Sequence, residues 1–384
     1  MSAAWVLIPA AMGAGSAAYQ WLGAWLAAGW LRESTSPADY GVLPPVTLLR
    51  PIKAGVPHLR GKLERLARAM RPGDQLVLGA ASGSPEIAEC EGVGAAFADR
   101  EIVVVRCDEG AALNPKISKL VQMEAACRHE RLILSDSEAI IDSGWLDALR
   151  HEWESSGAGA LTTGYRIIGA RSWPQRFDAA AALLSFWPGL AIVRRWGRVN
   201  FTLGACTCLR RADLASAGGW RAFGDFLAED RELGAALAAR GCAIRLASAV
   251  TTLEIDPLSW RDWWRHQRRV AVTYRVGAPA GFAGMLLTHG AAAALALAAA
   301  PVEIWTWCAV WAAVTLLVRW LAAQWLAQTL RFPAPALAIS LLAAGGMETI
   351  TWALSWLSTK VWWSGSWRRV GADGRFVRQE PITP

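Results

Sequence analysis

The chain has 384 residues, 54% of them hydrophobic, with 23 Trp against 9 Phe and 4 Tyr. That composition excludes an ordinary soluble enzyme, and the length leaves room for two or three domains. The net charge of +7 does not mark a nucleic-acid binder, because the basic residues between Arg261 and Arg275 and between Lys360 and Arg369 interleave with Trp beside apolar stretches, as in an interfacial belt on an anionic leaflet.

Taken in chain order, Ala3–Leu31 carries no charge and is long enough for a retained transmembrane anchor. Val46–Pro51 is an apolar strand that Pro51 stops, since Pro has no N–H to donate. Leu59–Met70 has helical periodicity, and Arg71-Pro72-Gly73-Asp74 ends it. Gln75–Gly79 and Ile102–Arg106 read as strands, and Ile117–His129 as a helix. Asn114-Pro115 before it has the form of a cap with Pro at the first helical position. Strands alternating with helices imply an α/β fold with a doubly wound, mostly parallel sheet.

The run Leu132-Ile133-Leu134 suits a buried strand and ends in Ser135-Asp136-Ser137-Glu138. On an extended chain Asp136 and Glu138 point the same way. At the end of a parallel strand they face the crevice where α/β sheets bind ligands. Two hard oxygen ligands there suit Mg²⁺ or Mn²⁺ with a phosphate-bearing substrate. Further on come Gly204-Ala205-Cys206-Thr207-Cys208, the turn Gly218-Gly219-Trp220, and Leu227-Ala228-Glu229-Asp230, which opens a helix with acidic residues. Glu229 and Asp230 do not share a helix face, so their carboxylates point to different surroundings. Seven cysteines form no C-x-x-C pair, and the odd count reads as reduced thiols in a cytosolic domain.

His266-Gln267-Arg268-Arg269-Val270 lies on a Trp-rich amphipathic segment. Gly281–Ala300 and Ile304–Leu330 are two candidate spans, the second with Arg319 inside it. Pro333–Ser358 is a third apolar stretch, interrupted by Gly345-Gly346 and Glu348. Each half is too short to span, and the basic tail favours the cytosolic side. The expectation is therefore a re-entrant or interfacial hairpin that turns near Gly345.

The order of these motifs resembles the ceramide glucosyltransferase-like family of membrane glycosyltransferases, which includes the hopanoid-associated glycosyltransferases. The resemblance rests on the N-terminal anchor, the opening from Pro45 to Lys53, Asn114-Pro115-Lys116, Ser135–Glu138, Gly218-Gly219-Trp220, Leu227–Asp230 and the tail Val361-Trp362-Trp363. It implies a GT-A-like fold with membrane helices at both ends, and inverting transfer from a UDP-sugar to a membrane lipid hydroxyl. The implied organisation is an anchor at 1–31, a cytosolic GT-A domain at 32–259, an amphipathic segment at 260–280, a membrane region at 281–358 and a basic cytosolic tail at 359–384. Localisation in a bacterial-type cytoplasmic membrane follows from the same resemblance.

Carried over by position, Asp136 binds metal and diphosphate with help from Glu138, Asp230 is the general base, and Arg269 is the arginine of the (Q/R)-x-x-R-W element. Pro51, Lys53, Lys116 and His266 join them on the donor side. Gly204, Cys206 and Glu229 fall on the acceptor side. The chain departs from the family pattern where Ser82 or Ser84 stands for the first aspartate, Val270 for the tryptophan and His266 for Gln or Arg. A processive synthase of the cellulose or hyaluronan type shares the Q-x-x-R-W element. A membrane scaffold that has lost catalysis would share the fold.

Overall fold

The computed structural model describes residues 4–33, 40–256, 258–332 and 334–377. Ala3, Pro333 and Arg378, which the expected anchor, third apolar stretch and tail include, lie outside them. The chain divides into two compact units, one of residues 33–169 and 198–256, the other of residues 1–32, 170–197 and 257–384.

The first unit is built on a sheet of eight strands: β1 (Thr47–Pro51), β2 (Gln75–Ala81), β3 (Glu101–Cys107), β4 (Arg131–Ser135), β5 (Ala139–Ile140), β6 (Ala160–Ile168), β7 (Cys206–Arg210) and β8 (Ile244–Glu254). Their order is β3-β2-β1-β4-β7-β6-β8-β5. Strands β3, β2, β1 and β4 run parallel, as do β6 and β8, while β7 is antiparallel to both its neighbours and β5 to β8. The two-residue period of the strands feeds two cores. Leu48, Leu76, Leu78 and Ile133 face one, shared with the helices Leu59–Ala69, Pro85–Ala96 and Ser143–Ser156. Leu49, Val77, Leu132 and Leu134 face the other, shared with the helices Pro115–Met123 and Glu229–Ala239. Each of the central strands β1 and β2 is buried on both sides, which is why they read as continuous apolar runs. The expected helix from Ile117 to His129 is shorter. It starts at Pro115, ends at Met123 and passes into a 3₁₀ turn.

The second unit is helical: Ala4–Arg32, Trp173–Ala181, Trp187–Trp196, Trp260–Gly277, Pro279–Gly284, Gly290–Ala298, Trp305–Thr329 and Ala334–Ser355, followed by a hairpin of β9 (Lys360–Trp363) and β10 (Ser366–Arg369). Among the described residues two helical stretches are long and apolar enough to cross a membrane, Trp173–Trp196 and Trp305–Thr329. The pair Pro279–Thr288 and Gly290–Ala298, bent by 52°, makes a third if it is one span. Ala4–Arg32 forms as a helix of 29 residues, but its Trp, Gly, Ser and Gln keep it outside that apolar set.

Three expectations are corrected here. Residues 170–197, read as part of the globular region, belong to the helical unit. Within them Pro188 cannot donate to the preceding turn, and a π-turn at Ala182–Phe186 absorbs the break. Pro188 also packs on Gly23, where an added Cβ would lie 2.4 Å from the Pro188 Cβ.

Secondly, the apolar run from Gly281 to Ala300 is broken at His289 instead of forming a straight span. Arg319 explains how the break is tolerated. Its Nη1 donates to the Thr288 carbonyl, at the break, at 2.7 Å and to the Ser16 carbonyl at 3.1 Å, so a charge inside an apolar helix is spent on backbone acceptors, one of them freed by the break.

Thirdly, the hairpin expected near Gly345 is absent, because Ala334–Ser355 is one unbroken helix. Two helical glycines cost about 1 kcal/mol each. A turn would leave several backbone groups unpaired, which is worse in an apolar setting. Glu348 bonds to the Ser185 hydroxyl and so need not face lipid.

Candidate active site

At the carboxyl edge of the sheet β4 ends in Ser135, and the chain turns at once. The Ala139 N–H donates to the Asp136 carbonyl at 3.0 Å, and Ser137 and Glu138 form the turn between. The extended geometry that would aim Asp136 and Glu138 together is therefore not present. Asp136 faces the helix Pro115–Met123, where Lys116 Nζ lies 2.8 Å from Asp136 Oδ1. Glu138 instead accepts from Lys53 Nζ at 2.8 Å, and Asp256 meets the same ammonium at 3.1 Å.

Lys116 is held by its cap. Asn114 Oδ1 accepts from the Lys116 N–H at 2.9 Å and from the Ile117 N–H at 3.4 Å. The Asn114 amide also donates to the Phe226 carbonyl at 3.0 Å and to Glu229 Oε2 at 3.1 Å. The residue thus links the start of one helix to the start of another, a role beyond capping that the Asn-Pro-Lys signature alone did not reveal. Lys116 Nζ reaches Glu229 Oε1 at 3.2 Å, so one ammonium sits between carboxylates from the end of β4 and the helix Glu229–Ala239.

Asp230 completes the group. Its Oδ1 accepts from the Arg231 N–H at 2.8 Å, and its carbonyl accepts from the Thr202 hydroxyl at 2.7 Å. Gly204 lies where these side chains converge. A Cβ added there would be 3.3 Å from Asp136 Oδ2, 3.4 Å from Asp230 Oδ2 and 3.5 Å from Lys116 Nζ. Gly234 lets the Asp230 helix approach the 201–202 backbone, since its Cβ would stand 2.2 Å from the Phe201 carbonyl carbon. A small cavity of about 10 Å³ beside the group is lined by Lys116, Leu203, Gly204, Trp220, Glu229 and Asp230, among others. That is room for about one water.

The electrostatics follow from this crowding. Burial raises the Asp230 pKa, and the neighbouring Glu229 charge raises it further. Lys116 and the Arg231 N–H pull it down, and it settles at about 6. Burial alone would lower the Lys116 pKa, but the charges of Asp136, Glu229 and Asp230 outweigh it and raise it, so Lys116 stays an ammonium. A carboxylate poised near 6 is a competent general base, and a fixed ammonium beside it is a competent partner for phosphate.

The other expected residues divide clearly. Pro51 ends β1 and Lys53 follows it, and Ser82 and Ser84 follow β2, so they share the carboxyl edge with Asp136. The Ser82 N–H donates to the Cys107 carbonyl, and Ser84 precedes the helix Pro85–Ala96. Neither serine bonds to the Asp136 group among the described residues. Cys206 is a correction: it is fully buried in the core beneath the sheet and cannot touch an acceptor. Gly204 and Glu229, also expected on the acceptor side, are members of the charged group itself. His266 and Arg269 lie in the helical unit. Arg269 Nη2 donates to His266 Nδ1 at 2.9 Å, which assigns that nitrogen as the acceptor. The Arg269 guanidinium also stacks 4.5 Å from the Trp363 ring centroid.

For a divalent cation, Asp136 fits and the Asp136–Glu138 pair does not. Among the described residues no group of three or more His, Cys, Asp or Glu is placed to hold a metal ion unaided. One or two carboxylates plus substrate phosphates are the usual set for Mg²⁺, and Asp136 Oδ2, facing Gly204, meets that need.

Residues 6–376 match glycosyl transferase family 21. A probable glycosyltransferase, YdaM, of Bacillus subtilis is 30% identical over 115 residues, which are 30% of this chain and 27% of that protein. Two solved structures are similar. The mannosyltransferase PcManGT from Pyrobaculum calidifontis, in complex with GDP-Man and Mn²⁺, is 17% identical with a TM-score of 0.48, over 89% of this chain and 99% of that one. TarS 1-349 from S. aureus, in complex with UDP-GlcNAc, is 11% identical with a TM-score of 0.40, over 88% and 99%. With residues 6–376 matched, nearly its whole length, the chain belongs to glycosyl transferase family 21, the ceramide glucosyltransferase-like family of glycosyltransferases.

Proposed function

We propose that the protein transfers a hexose or N-acetylhexosamine, with inversion, from a UDP-sugar to the hydroxyl of a membrane lipid of ceramide-like or hopanoid-like type. The observation that carries this reading is the meeting of Asp136, Lys116 and Asp230 around Gly204. Asp230 takes the proton of the lipid hydroxyl, whose oxygen forms the new bond to the anomeric carbon. The bond from that carbon to the diphosphate breaks, and UDP leaves with the electron pair. Lys116 supplies positive charge where negative charge grows. Asp136 would hold Mg²⁺ or Mn²⁺, which when bound neutralises the leaving diphosphate. Lys53, Ser82, Ser84, His266 and Arg269 remain proposed donor contacts, with Glu138 acting through Lys53 and not as a second metal ligand.

The helices long and apolar enough to cross a membrane support a membrane enzyme. The basic residues of the β9–β10 hairpin support a tail on the cytosolic side of a bacterial-type inner membrane. Transfer of radiolabel from UDP-sugars to a lipid extract tests the function. A single glycolipid band supports it. A ladder of sizes would show a processive synthase instead, and the absence of product with every nucleotide sugar would show a scaffold without activity.

A further inference from the structure

The carboxyl edge of the sheet opens between β1 and β4. Their ladder runs from Thr47–Leu132 to Leu49–Leu134 and stops. Strand β1 continues against β2 as far as Pro51–Gly79, while β4 goes on to pair Ser135 with Cys206. The fully buried side chain of Arg50 occupies this fork. Its Nε and Nη2 donate to Ser135 Oγ at 3.2 and 3.0 Å, and its Nη1 donates to the Ala139 carbonyl at 3.1 Å.

Ser135 and Ala139 are the two residues that flank Asp136-Ser137-Glu138. A buried guanidinium is expensive unless its donors are satisfied. Arg50 forms no ion pair among the described residues, and its donors go to a hydroxyl and a carbonyl on either side of one turn. An apolar side chain would fill the same space without that desolvation penalty. What it could not do is fix the spacing of the two flanks, which a planar fork does.

We infer that Arg50 is a positioning residue for the transfer, clamping the turn that presents Asp136 so that its carboxylate meets the donor diphosphate and its cation. This rests on the reading of Asp136 given above. A single ammonium cannot bridge both flanks as the guanidinium does, so Arg50→Lys keeps the charge and removes the clamp. Ser135→Ala removes one acceptor and leaves the arginine in place.

The test uses the full-length protein in lipid nanodiscs and measures UDP affinity with and without Mn²⁺, together with the melting temperature. Partners that orient a metal ligand typically contribute about 10–100-fold to metal affinity. Arg50→Lys is therefore expected to reduce the Mn²⁺ enhancement of UDP binding roughly tenfold, with metal-free UDP affinity nearly unchanged. Ser135→Ala should act in the same direction to a smaller extent. In an Asp136→Ala background neither change should reduce UDP affinity further. If Arg50→Lys does not fold, Ser135→Ala decides alone. Full retention of the Mn²⁺ enhancement in the folded variants, or equal loss with and without metal, overturns the inference and leaves the site reading standing. A wild-type protein on which Mn²⁺ has no effect overturns both.

Discussion

Asp136 and Glu138 stand two residues apart, yet they sit in two different charge clusters. Asp136 shares Lys116 with Glu229, and the side chains of Lys116 and Glu229 are 18% and 13% exposed. Glu138 shares Lys53 with Asp256, and the Lys53 side chain is 60% exposed. The turn at Ser137 separates two carboxylates that a strand would have aligned. Proximity in sequence therefore says little about shared chemistry here. The ammonium of the first cluster is enclosed and that of the second open to water, so the exposed pairs of Lys53 contribute little energy even though Glu138 and Asp256 raise its pKa.

The largest expected effect comes from the proposed proton acceptor of the enclosed cluster. Asp230→Asn is nearly isosteric but cannot take a proton. Turnover should fall roughly 10²–10⁴-fold, as for the loss of a general base, with UDP affinity almost unchanged. Steady-state transfer alongside UDP titration measures both, and equal losses in the two would remove Asp230 from that role.

Next in size is the contrast between the two neighbours. Asp136→Ala should abolish the Mn²⁺ enhancement of UDP binding, a loss of about two orders of magnitude or more, since it removes the proposed ligand itself and not merely a partner that orients it. Glu138→Ala should retain most of that enhancement. Equal losses would mean that the two carboxylates act together when nucleotide binds, against the geometry of the turn.

Stability should separate the clusters as well. Lys53→Ala breaks an exposed pair and should change unfolding free energy by less than about 1 kcal/mol. Gly234→Ala, which drives a Cβ into the Phe201 backbone, should cost about 1–3 kcal/mol, as overpacking does. Thermal or chemical unfolding would show this, and a Gly234→Ala variant as stable as wild type would mean that the 201–202 segment yields easily.

Much of the first unit was legible in sequence because its strands are short apolar runs bounded by Pro, Gly and charge. Val46–Pro51 and Gln75–Gly79 stand where they were expected, and the alternation of helix and strand implied the sheet. The gathering of Lys116, Asp136 and Asp230 was implied by family resemblance; nothing in their spacing required it. Arg50, Thr202 and Gly234 were missed, since each acts through backbone or through a contact distant in sequence that no local pattern encodes. The helical unit was harder to read. A stretch such as Trp173–Trp196, carrying Asp178, Arg194 and Arg195, looks globular until the helices that cover it are known. Gly345-Gly346 resembles a turn until the cost of breaking a helix in an apolar setting is weighed.

The smallest expected effect is the sharpest probe of the comparison. Asp230 is held at about 6, first by burial and next by Glu229. As the proposed base it works as the carboxylate, so activity should be full above pH 7 and fall as pH drops through 6, close to tenfold per unit once the group is mostly protonated. Glu229→Gln removes a charge that raises the Asp230 pKa and frees Lys116, which lowers it. Both changes have the same sign, so the acid limb should move to lower pH while burial keeps it above that of an ordinary aspartate. Lys116→Met should move the limb the other way, because a cation that favours the carboxylate is gone. Glu138→Gln should leave it where it is, since Glu138 is neutralised by Lys53 and contributes nothing to the balance at Asp230. The log of kcat against pH for the four proteins decides the matter: a limb displaced by Glu138→Gln, or unmoved by Glu229→Gln, would show that the two clusters are electrically one.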